Sequence, residues 1–410
     1  MLINFDNFGM LTWVEINKQA IEHNLREFRR LIDSKIKIMA VVKSNAYGHG
    51  MIEVAKIAVK AGANWLGVVN LDEALRLRQA KIKAPIFILS YWTAVKNYST
   101  IRANRRNSEI SEIQEAIQKN IDFPIYIFEQ AKILSQIAQK IRKKVNIHIK
   151  IDTGAGRIGV MPDQAIKFIQ EIRKLPRLNI QGIFTHYAAS EKEDQGYTNR
   201  QTEILNGILA KLRLLKINIP FVHAACSAST MVNPATHFNM VRLGVALYGL
   251  WPSEETRLMI KKRKVKINLK PALIWKTKII QIKELPAGAF IGYDCTYQTK
   301  KKIKIAILPV GYWDGYDRHL SNPTPLKLRG TGCGEVLIRG QRCPIRGRIC
   351  MNLSMVEVSR LSNVKVGDEV VLIGKQNKKE ITADDLAKKI GTINYEVVAR
   401  INPLIIRKYV

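Results

Sequence analysis

Short apolar runs rich in valine and isoleucine alternate with longer amphipathic segments from about residue 36 to residue 250. We predict one strand at each of eight runs: 37–42, 65–69, 85–89, 124–128, 145–151, 180–185, 221–225 and 240–246. Helical periodicity fills the intervals, as at Asp72–Ala80, Gln164–Leu175 and Thr198–Leu215. Because a crossover follows each strand, the strands should be parallel, and eight such units predict an N-terminal (β/α)8 TIM-like barrel.

The pattern changes after about residue 268 to short strands separated by Gly, Pro and Asp turns. We predict strands in the runs A-L-I-W-K-T-K-I, K-I-A-I-L-P-V, V-L-I-R-G and D-E-V-V-L-I-G. These features are typical of a mostly antiparallel β domain. We therefore expect a barrel domain at 12–255 and a C-terminal β domain at 265–410, with the strand at 10–17 compatible with either domain.

Composition is consistent with two globular domains. The chain has 410 residues, of which 47% are apolar and 24% are charged. No run approaches the roughly 20 apolar residues of a membrane span, and the first ten residues lack a leader pattern, so we expect a cytoplasmic protein without a membrane partner. Five cysteines form no C-x-x-C pair, which indicates neither a metal site nor a disulfide framework.

The net charge of +32 raises the possibility of nucleic-acid binding. However, the basic residues are spread along the chain, and the basic runs at 142–144 and 261–266 lack interleaved aromatic residues. We interpret these runs as solvated faces and expect no nucleic-acid partner. A basic surface would still favour anionic ligands.

Lys43 follows an apolar run and begins a glycine-flanked loop in V-V-K-S-N-A-Y-G-H-G. A lysine with an ordinary pKa of about 10.4 is a poor base unless its surroundings lower that value. Attached to an aldehyde, such a lysine becomes a covalent anchor, and once released it acts as a base. Pyridoxal 5'-phosphate is such an aldehyde, and the sequence also offers candidates for a phosphate cradle and a ring-nitrogen partner.

Six stretches, in order and spacing, resemble the alanine racemases: A-V-V-K-S-N-A-Y-G-H-G, H-I-K-I-D-T-G-A-G-R-I-G, F-N-M-V-R-L-G-V-A-L-Y-G-L, G-Y-W-D-G-Y, G-R-I-C-M and G-T-I-N-Y-E-V. The resemblance runs from Thr12 nearly to the C-terminus and covers both predicted domains. It implies interconversion of L- and D-alanine for peptidoglycan, dependence on pyridoxal phosphate, and a homodimer with shared active sites.

The resemblance also implies the residues that bind the cofactor. Lys43 matches the lysine that carries pyridoxal phosphate, Arg242 the arginine at its ring nitrogen, and Arg157 the arginine at its ring oxygen and at the substrate carboxylate. His186 matches a histidine bonded to Arg242 and to the catalytic tyrosine. The matching phosphate contacts are Tyr47, Ser227, Gly244, Val245 and Tyr395.

Racemisation needs one base on each face of the substrate Cα. By the resemblance, Lys43 serves D-alanine, and Tyr293 of the partner subunit serves L-alanine. Lys150 matches a lysine that is carbamylated in many relatives, and Met351 matches a backbone contact to the substrate carboxylate. The residues that match the substrate corridor are Glu191, Tyr312, Arg318 and Arg348.

Four positions depart from the family pattern. Cys226 stands where relatives usually have Asn, and Asn352 where Asp is usual. Gly292 and Asp294 flank Tyr293 where Ser and Gly are common. These neighbouring changes bear on rate and substrate preference more than on reaction type.

Other functions remain open on the same scaffold. A non-enzymatic carrier of pyridoxal phosphate would share the lysine loop but would need neither Tyr293 nor the second domain. A racemase for serine or a broader set of amino acids would use the same residues. A decarboxylase of basic amino acids needs a stronger electron sink, and Arg242 has the wrong charge for the acidic ring-nitrogen partner of such an enzyme.

Overall fold

The computed structural model describes residues 10–92, 103–322 and 333–410. These residues form two units. One unit contains the N-terminal segment up to Lys18, the short stretch Tyr47–Gly50, and Ala272–Val410. The other unit contains Gln19–Ala46 and Met51–Pro271.

Strand β1 (Thr12–Ile16) opens the chain, and the next eight strands close into a parallel barrel in which β2 pairs with β9. The barrel strands are β2 (Lys37–Val41), β3 (Trp65–Val68), β4 (Ile86–Ile88), β5 (Ile121–Ile125), β6 (Val145–Lys150), β7 (Leu178–Phe184), β8 (Phe221–His223) and β9 (Met240–Leu243). The predicted eight-stranded barrel is confirmed.

Helices connect these strands. They are α1 (Lys18–Leu31), α2 (Met51–Lys60), α3 (Leu71–Gln79), α4 (Ala103–Gln118), α5 (Phe128–Lys140), α6 (Ala165–Arg173), α7 (Gly196–Leu214), α8 (Ser227–Val232) and α9 (Glu254–Lys262). The three helices predicted from periodicity correspond to α3, α6 and α7, with ends that differ by one or two residues. The Asn70 side chain caps α3 by accepting the Glu73 N–H at 3.0 Å, which fixes where that helix begins.

The barrel interior is filled by large side chains. Every residue of β3 and β4 is buried, as expected for parallel strands covered on both faces. Met39, Trp65, Phe87, Phe184 and Met240 form one buried cluster. Truncating a ring such as that of Phe87 to Ala would cost about 3–5 kcal/mol of stability.

The predicted strand at 124–128, the fourth of the eight runs, was placed too late. The strand runs from Ile121 to Ile125, and Phe128 already begins helix α5. The apolar pattern is interrupted at Asp122, which excluded this segment from the prediction, yet the Asp122 side chain is buried against His148 in the neighbouring strand. A carboxylate with a buried partner is compatible with the interior of a barrel strand.

The C-terminal unit is built mainly from antiparallel strands, as predicted. Strand β1 pairs antiparallel with β10 (Leu273–Lys278), and β1 also pairs parallel with the last strand, Ile406–Tyr409. The N-terminal strand therefore belongs to this unit. Residues of β10 alternate between buried and partly exposed, the period expected of a sheet with one covered face.

Further strands complete this unit in a seven-stranded, a three-stranded and a two-stranded sheet. The strands are β11 (Gln281–Leu285), β12 (Phe290–Ile291), β13 (Tyr297–Gln298), β14 (Ile303–Leu308), β15 (Glu335–Ile338), β16 (Gln341–Pro344), β17 (Ser354–Glu357), β18 (Glu369–Gln376), β19 (Lys379–Ile381) and β20 (Ile406–Tyr409). Helices α10 (Ala383–Ile390) and α11 (Asn394–Ala399) follow β19. None of the helices in the described ranges combines the length and the apolar character of a bilayer crossing.

Candidate active site

Lys43 lies just beyond the carboxyl end of β2, at the start of a left-handed turn. Ser44, Asn45, Ala46 and Tyr47 all have φ of 53° or 54°, in the left-handed region. For L-residues this conformation costs roughly 1–2 kcal/mol each. The sequence contains no glycine in these four positions, so contacts elsewhere must hold the turn.

Glu73 supplies two of these contacts. Its buried carboxylate accepts the Ser44 N–H at 2.6 Å and the Val69 N–H at 2.9 Å. One side chain on α3 therefore fastens the loops that follow β2 and β3. The Asn45 side chain adds a third contact by accepting the Met51 N–H at 3.0 Å.

The Lys43 amine has a lowered pKa. Burial is the main cause, and the positive charge of Arg157 acts in the same direction, whereas Glu73 opposes both. Burial and a neighbouring cation both disfavour the ammonium form. The site thus increases the share of neutral amine, which is the form that reacts with an aldehyde or accepts a proton.

The loop that carries Arg157 is wrapped around the carboxylate of Asp152. Oδ1 accepts the N–H groups of Gly154, Ala155 and Gly156 at 3.0, 2.8 and 3.2 Å, and Oδ2 accepts the Arg157 N–H at 2.9 Å. Burial alone would raise the pKa of Asp152, but these four donors outweigh it and lower the pKa. The carboxylate therefore preforms the loop and fixes the backbone of Arg157.

Lys150 ends strand β6 and is 5% exposed. Its pKa lies well below the ordinary value because of burial first and then the charges of Arg242 and Arg157, with Asp152 opposing them. The amine lies 4.8 Å from the centre of the Phe184 ring. Burial and the charges of these two arginines thus favour the neutral form of the amine.

Arg242 extends from β9 into a set of oxygen and nitrogen acceptors. Nη1 donates to the His223 carbonyl and to His223 Nδ1 at 2.7 and 3.0 Å. Nη2 donates to the carbonyls of Thr185 and Ala224 at 2.8 and 2.7 Å, and to His186 Nδ1 at 3.2 Å. Burial lowers the Arg242 pKa to about 10, which still leaves the guanidinium charged at neutral pH.

His186 is held as a neutral ring. Burial lowers its pKa well below the ordinary value, and the charges of Arg242 and Lys150 lower it further. Because Arg242 donates to Nδ1, the ring proton of His186 lies on Nε2. This nitrogen is left as a donor on the side away from the guanidinium.

Ser227 begins helix α8 and lies against the turn after β9. Its Oγ accepts the Gly244 N–H at 2.9 Å and the Ala246 N–H at 3.4 Å. Both contacts use the oxygen as acceptor, so the hydroxyl proton is directed elsewhere. The predicted phosphate contacts Ser227, Gly244 and Val245 are therefore neighbours, with a hydroxyl and backbone N–H groups of the kind that bind anions.

Tyr47, Tyr395, Tyr312, Arg318 and Met351 belong to the C-terminal unit. The rings of Tyr47 and Tyr395 are 6.1 Å apart between centroids. The Tyr312 N–H donates to the Cys350 carbonyl at 3.0 Å, next to Met351, and the charge of Arg318 acts on the Cys350 thiol. Tyr312, Arg318 and Met351 are thus brought together.

Tyr293 is 65% exposed and lies in a tight turn of the C-terminal unit. The preceding Gly292 has φ of 76°, and a Cβ at this position would come within 3.0 Å of the Arg348 backbone nitrogen. The Arg348 side chain also forms an ion pair with Asp294. The Arg348 backbone therefore lies next to Gly292, and the Arg348 guanidinium is paired with Asp294. These two residues flank Tyr293.

A cavity of about 480 Å³ opens beside Arg157 and His186 in the barrel unit. Glu191 and Cys226 also line it, and Cys226 Sγ lies 3.2 Å from Ser190 Oγ. The predicted corridor residue Glu191 is thus brought to the same cavity as Arg157, whereas Tyr312, Arg318 and Arg348 lie in the other unit.

Sequence reasoning missed several residues that shape this site. Glu73 and Asp152 hold the two loops, and three polar side chains inside the barrel, Asp122, His148 and His223, extend inward from Arg242. The available signal was their position: an ionisable side chain in the middle of a parallel barrel strand is usually buried. Such residues require a partner and mark the functional interior.

Comparison with protein families identifies both parts of the chain. Residues 16–252 match the alanine racemase N-terminal domain and residues 272–409 match the alanine racemase C-terminal domain. The chain belongs to the alanine racemase family. It is therefore an amino-acid racemase, an isomerase.

Individual alanine racemases agree over nearly the full length. The chain is 40% identical to the alanine racemase of Methanococcus maripaludis, over 97% of this chain and 98% of the relative. It is 42% identical to the alanine racemase of Methylacidiphilum infernorum, over 97% of this chain and 92% of that protein.

Solved structures of alanine racemases have the same fold. The alanine racemase of Clostridium difficile 630 superposes with a TM-score of 0.87 at 34% identity, covering 98% of this chain and 97% of that one. The alanine racemase of Bacillus anthracis with bound L-Ala-P gives a TM-score of 0.86 at 34% identity, covering 98% and 96%.

Proposed function

We propose that this racemase interconverts L-alanine and D-alanine by a two-base reaction with pyridoxal 5'-phosphate as cofactor. The observation that carries the proposal is the Lys43 amine, which has a lowered pKa and lies at the carboxyl end of a barrel strand. The relatives named alanine racemase support alanine as the substrate. When bound, the cofactor withdraws electrons from the substrate Cα and so acidifies its C–H bond.

The chemistry of the donor set fits this cofactor. Ser227 and the backbone at Gly244 and Val245 would hold the phosphate, because their hydroxyl and N–H groups converge at the end of β9. Tyr47 and Tyr395, with neighbouring rings, would add phenol groups to the same phosphate. Among the described residues, no group of three or more His, Cys, Asp or Glu side chains is arranged to hold a metal ion.

Arg242 would donate to the ring nitrogen of the cofactor. A guanidinium has no proton-accepting atom, and with a pKa of about 10 it remains charged at neutral pH. The ring nitrogen therefore stays unprotonated and the ring remains a moderate electron sink. This favours racemisation over decarboxylation, which depends on a stronger sink.

Lys43 Nζ would anchor the cofactor and move the Cα proton of D-alanine. Tyr293 of the partner subunit would move the Cα proton of L-alanine from the opposite face, which makes a homodimer necessary for activity. The exposed position of Tyr293 supports this assignment, because a phenol that serves another chain must lie at the surface. Neutral His186 would donate a hydrogen bond from Nε2 to that phenol oxygen.

Arg157 would bind the substrate carboxylate and the cofactor's ring oxygen, with Met351 adding a backbone N–H. Lys150 would be carbamylated. Its neutral amine is the form that attacks carbon dioxide, forming an N–C bond and releasing a proton, and the resulting anion would lie between Arg242 and Arg157. Substrate would pass Glu191, Tyr312, Arg318 and Arg348 on its way in.

The cellular setting belongs to the same proposal. The enzyme would supply D-alanine for peptidoglycan in the cytoplasm, without a nucleic-acid or membrane partner. Its barrel domain would extend to about residue 255 and its C-terminal domain over 265–410, with the N-terminal strand at 10–17 joining the C-terminal domain.

A chiral assay of the purified protein tests the function directly. The protein would be incubated with a panel of L-amino acids, with and without added pyridoxal phosphate, and the D-products measured. We expect alanine to react fastest and only with cofactor present. Fastest conversion of serine or a basic amino acid would replace alanine as the substrate, and cofactor binding without any conversion would favour a carrier.

Replacement of the anchor completes the test. Lys43→Ala should abolish the visible absorbance of the bound cofactor and lower activity by at least about 100-fold. Lys56→Ala, which removes an exposed lysine paired with Glu53 on α2, should leave both unchanged. An unaltered cofactor spectrum in Lys43→Ala would rule out Lys43 as the residue that anchors the cofactor.

A further inference from the structure

A line of polar side chains crosses the apolar interior of the barrel. Arg242 Nη1 lies 3.0 Å from His223 Nδ1, His223 Nε2 lies 2.9 Å from His148 Nδ1, and His148 Nε2 lies 3.3 Å from Asp122 Oδ2. The four residues come from strands β9, β8, β6 and β5, and none is more than 5% exposed. We call this line the barrel relay.

The protons of the barrel relay can be assigned from its guanidinium end. Arg242 only donates, so His223 Nδ1 accepts and the His223 proton lies on Nε2. His223 then donates to His148 Nδ1, so the His148 proton also lies on Nε2 and is donated to the Asp122 carboxylate. With both rings neutral, every contact pairs one donor with one acceptor.

Neutral rings are also what the surroundings favour. His223 is fully buried, and burial together with the charge of Arg242 lowers its pKa well below the ordinary value. The His223 ring stacks on Phe184 with centroids 4.9 Å apart, and the His148 ring lies 4.3 Å from Phe87. A second proton on His223 would be unfavourable in this apolar layer and would also place two donors face to face.

The backbone is shaped to admit the barrel relay. Gly182 lies opposite His148 in the neighbouring strand β7. A Cβ at Gly182 would lie 2.1 Å from His148 Nδ1, the atom that accepts from His223. The glycine therefore provides the space in which the two imidazoles meet.

The barrel relay also explains how the buried positive charge of Arg242 is balanced. Among the described residues, the hydrogen-bond partners of buried Arg242 are three carbonyl oxygens and two imidazole nitrogens, and none is a carboxylate. A buried charge usually needs an opposite charge. Asp122 supplies one at the far end of two polarisable rings, which transmit its effect through cooperative hydrogen bonds.

We propose that Asp122, His148 and His223 are positioning residues for Arg242, which they orient and partly neutralise so that its guanidinium donates to the ring nitrogen of the cofactor. This role rests on the proposed function of Arg242. The position of the His223 proton is essential. If His223 carried its proton on Nδ1 instead of Nε2, it would present a donor to the guanidinium and displace it.

Histidine spectra test the proton assignment without any assay of activity. Solid-state ¹⁵N spectra of histidine-labelled protein, with and without pyridoxal phosphate, report which ring nitrogen is protonated. We expect His148 and His223, assigned through His148→Gln and His223→Gln, to carry their proton on Nε2 and to leave Nδ1 unprotonated. The partly exposed His23 ring on α1 provides a reference signal from outside the barrel interior. An Nδ1–H or doubly protonated ring at either position would overturn the barrel relay.

Substitutions at Asp122 test the positioning role in the holoenzyme. Asp122→Asn keeps an oxygen acceptor but removes the charge, and should lower kcat by a few-fold. Asp122→Leu removes the acceptor as well and should lower kcat by about 10- to 100-fold, with a shifted visible absorbance of the bound cofactor and little change in KM.

Asn146→Ala is the matched control, because Asn146 Nδ2 contacts the other Asp122 oxygen at 3.4 Å and lies outside the barrel relay. It should leave kcat and the cofactor spectrum unchanged. If Asp122→Leu does not fold, Asp122→Asn and the ¹⁵N spectra still decide: unchanged tautomers with an unchanged kcat in Asp122→Asn would overturn the positioning role. If the protein binds no pyridoxal phosphate at all, the proposed function fails, while the tautomers still confirm or overturn the barrel relay.

Discussion

The guanidinium of Arg348 is ion-paired with the carboxylate of Asp294, the residue that directly follows Tyr293. Asp294 has φ of 59°, in the left-handed region where the glycine common among relatives would carry no conformational cost. The pair thus fixes a turn whose backbone is under strain. It also connects a predicted corridor residue with the turn of the proposed second base.

Asp294→Asn isolates the charge of this pair, because Asn tolerates the left-handed region as Asp does. Exposed ion pairs contribute up to about 1 kcal/mol, so we expect kcat/KM for L-alanine to fall by at most about fivefold. The difference from the parent should shrink as salt is raised. Glu284→Gln removes an exposed pair with Lys302 in the same unit and should not alter kcat/KM. Full activity of Asp294→Asn at low salt would show that the ion pair between Arg348 and Asp294 does not contribute to activity.

Tyr293→Phe removes the phenol oxygen and keeps the ring. With Lys43 intact, we expect exchange of the Cα proton of L-alanine with deuterated solvent to fall by about 100- to 10,000-fold. Exchange from D-alanine should fall far less. Tyr297→Phe, in the neighbouring strand β13, serves as the control and should affect neither. Equal losses in the two directions would refute the assignment of one base to each face.

Glu73→Gln tests whether the Glu73 carboxylate holds the left-handed turn that follows Lys43. A single amide oxygen cannot replace both carboxylate oxygens, so we expect a loss of about 1–3 kcal/mol in the free energy of unfolding and faster loss of cofactor. Glu27→Gln is matched, since Glu27 is also buried and accepts the Asn268 N–H at 2.7 Å. It should lower stability similarly and retain the cofactor. Equal cofactor loss in both variants would indicate a general effect of instability.

Lys150 should make stability depend on pH and on carbon dioxide. Its folded pKa lies well below the ordinary value, so between the two pKa values the unfolded chain binds more protons than the folded one. Stability of the unmodified protein therefore rises with pH through that window and is lowest below the folded pKa. Denaturant titrations over a pH series would measure this slope, which should be absent in Lys150→Met.

Carbamylation would replace that buried amine with an anion. Bicarbonate should then raise the melting temperature of the parent protein and leave that of Lys150→Met unchanged. Intact-protein mass spectra under mild conditions should show the addition of one carbon dioxide to the parent alone. An identical response to bicarbonate in both proteins would exclude the modification at this lysine.

Apolar patterning was sufficient to predict most of the fold because parallel barrel strands are buried on both faces. The eight runs and the change in pattern near residue 268 required no knowledge of partners. The strand predicted at 124–128 was misplaced because the stability of Asp122 depends on His148, 26 positions away. The β1 strand could not be assigned from sequence because its neighbours, β10 and β20, lie hundreds of residues later.

The site, like the fold, contains residues that local sequence motifs reveal and residues that only long-range contacts reveal. Lys43, Arg157 and Arg242 lie in motifs that resemble a family, and the structure places the three close enough to influence each other or shared neighbours electrostatically. Glu73 could not be found in this way, because it acts on the Ser44 backbone from 29 positions away and its sequence neighbourhood reads as an ordinary helix start. Long-range contacts between a side chain and a backbone N–H leave no local pattern.

The four left-handed residues after Lys43 also determine when this loop can form during folding. L-residues have no intrinsic preference for that conformation, so the turn cannot nucleate from its own sequence. It must await strands β2 and β3 and helix α3, which deliver the Glu73 carboxylate to the Ser44 N–H. The lysine would therefore be presented only by a barrel whose first units are already assembled, and the proposed cofactor would bind only after that stage.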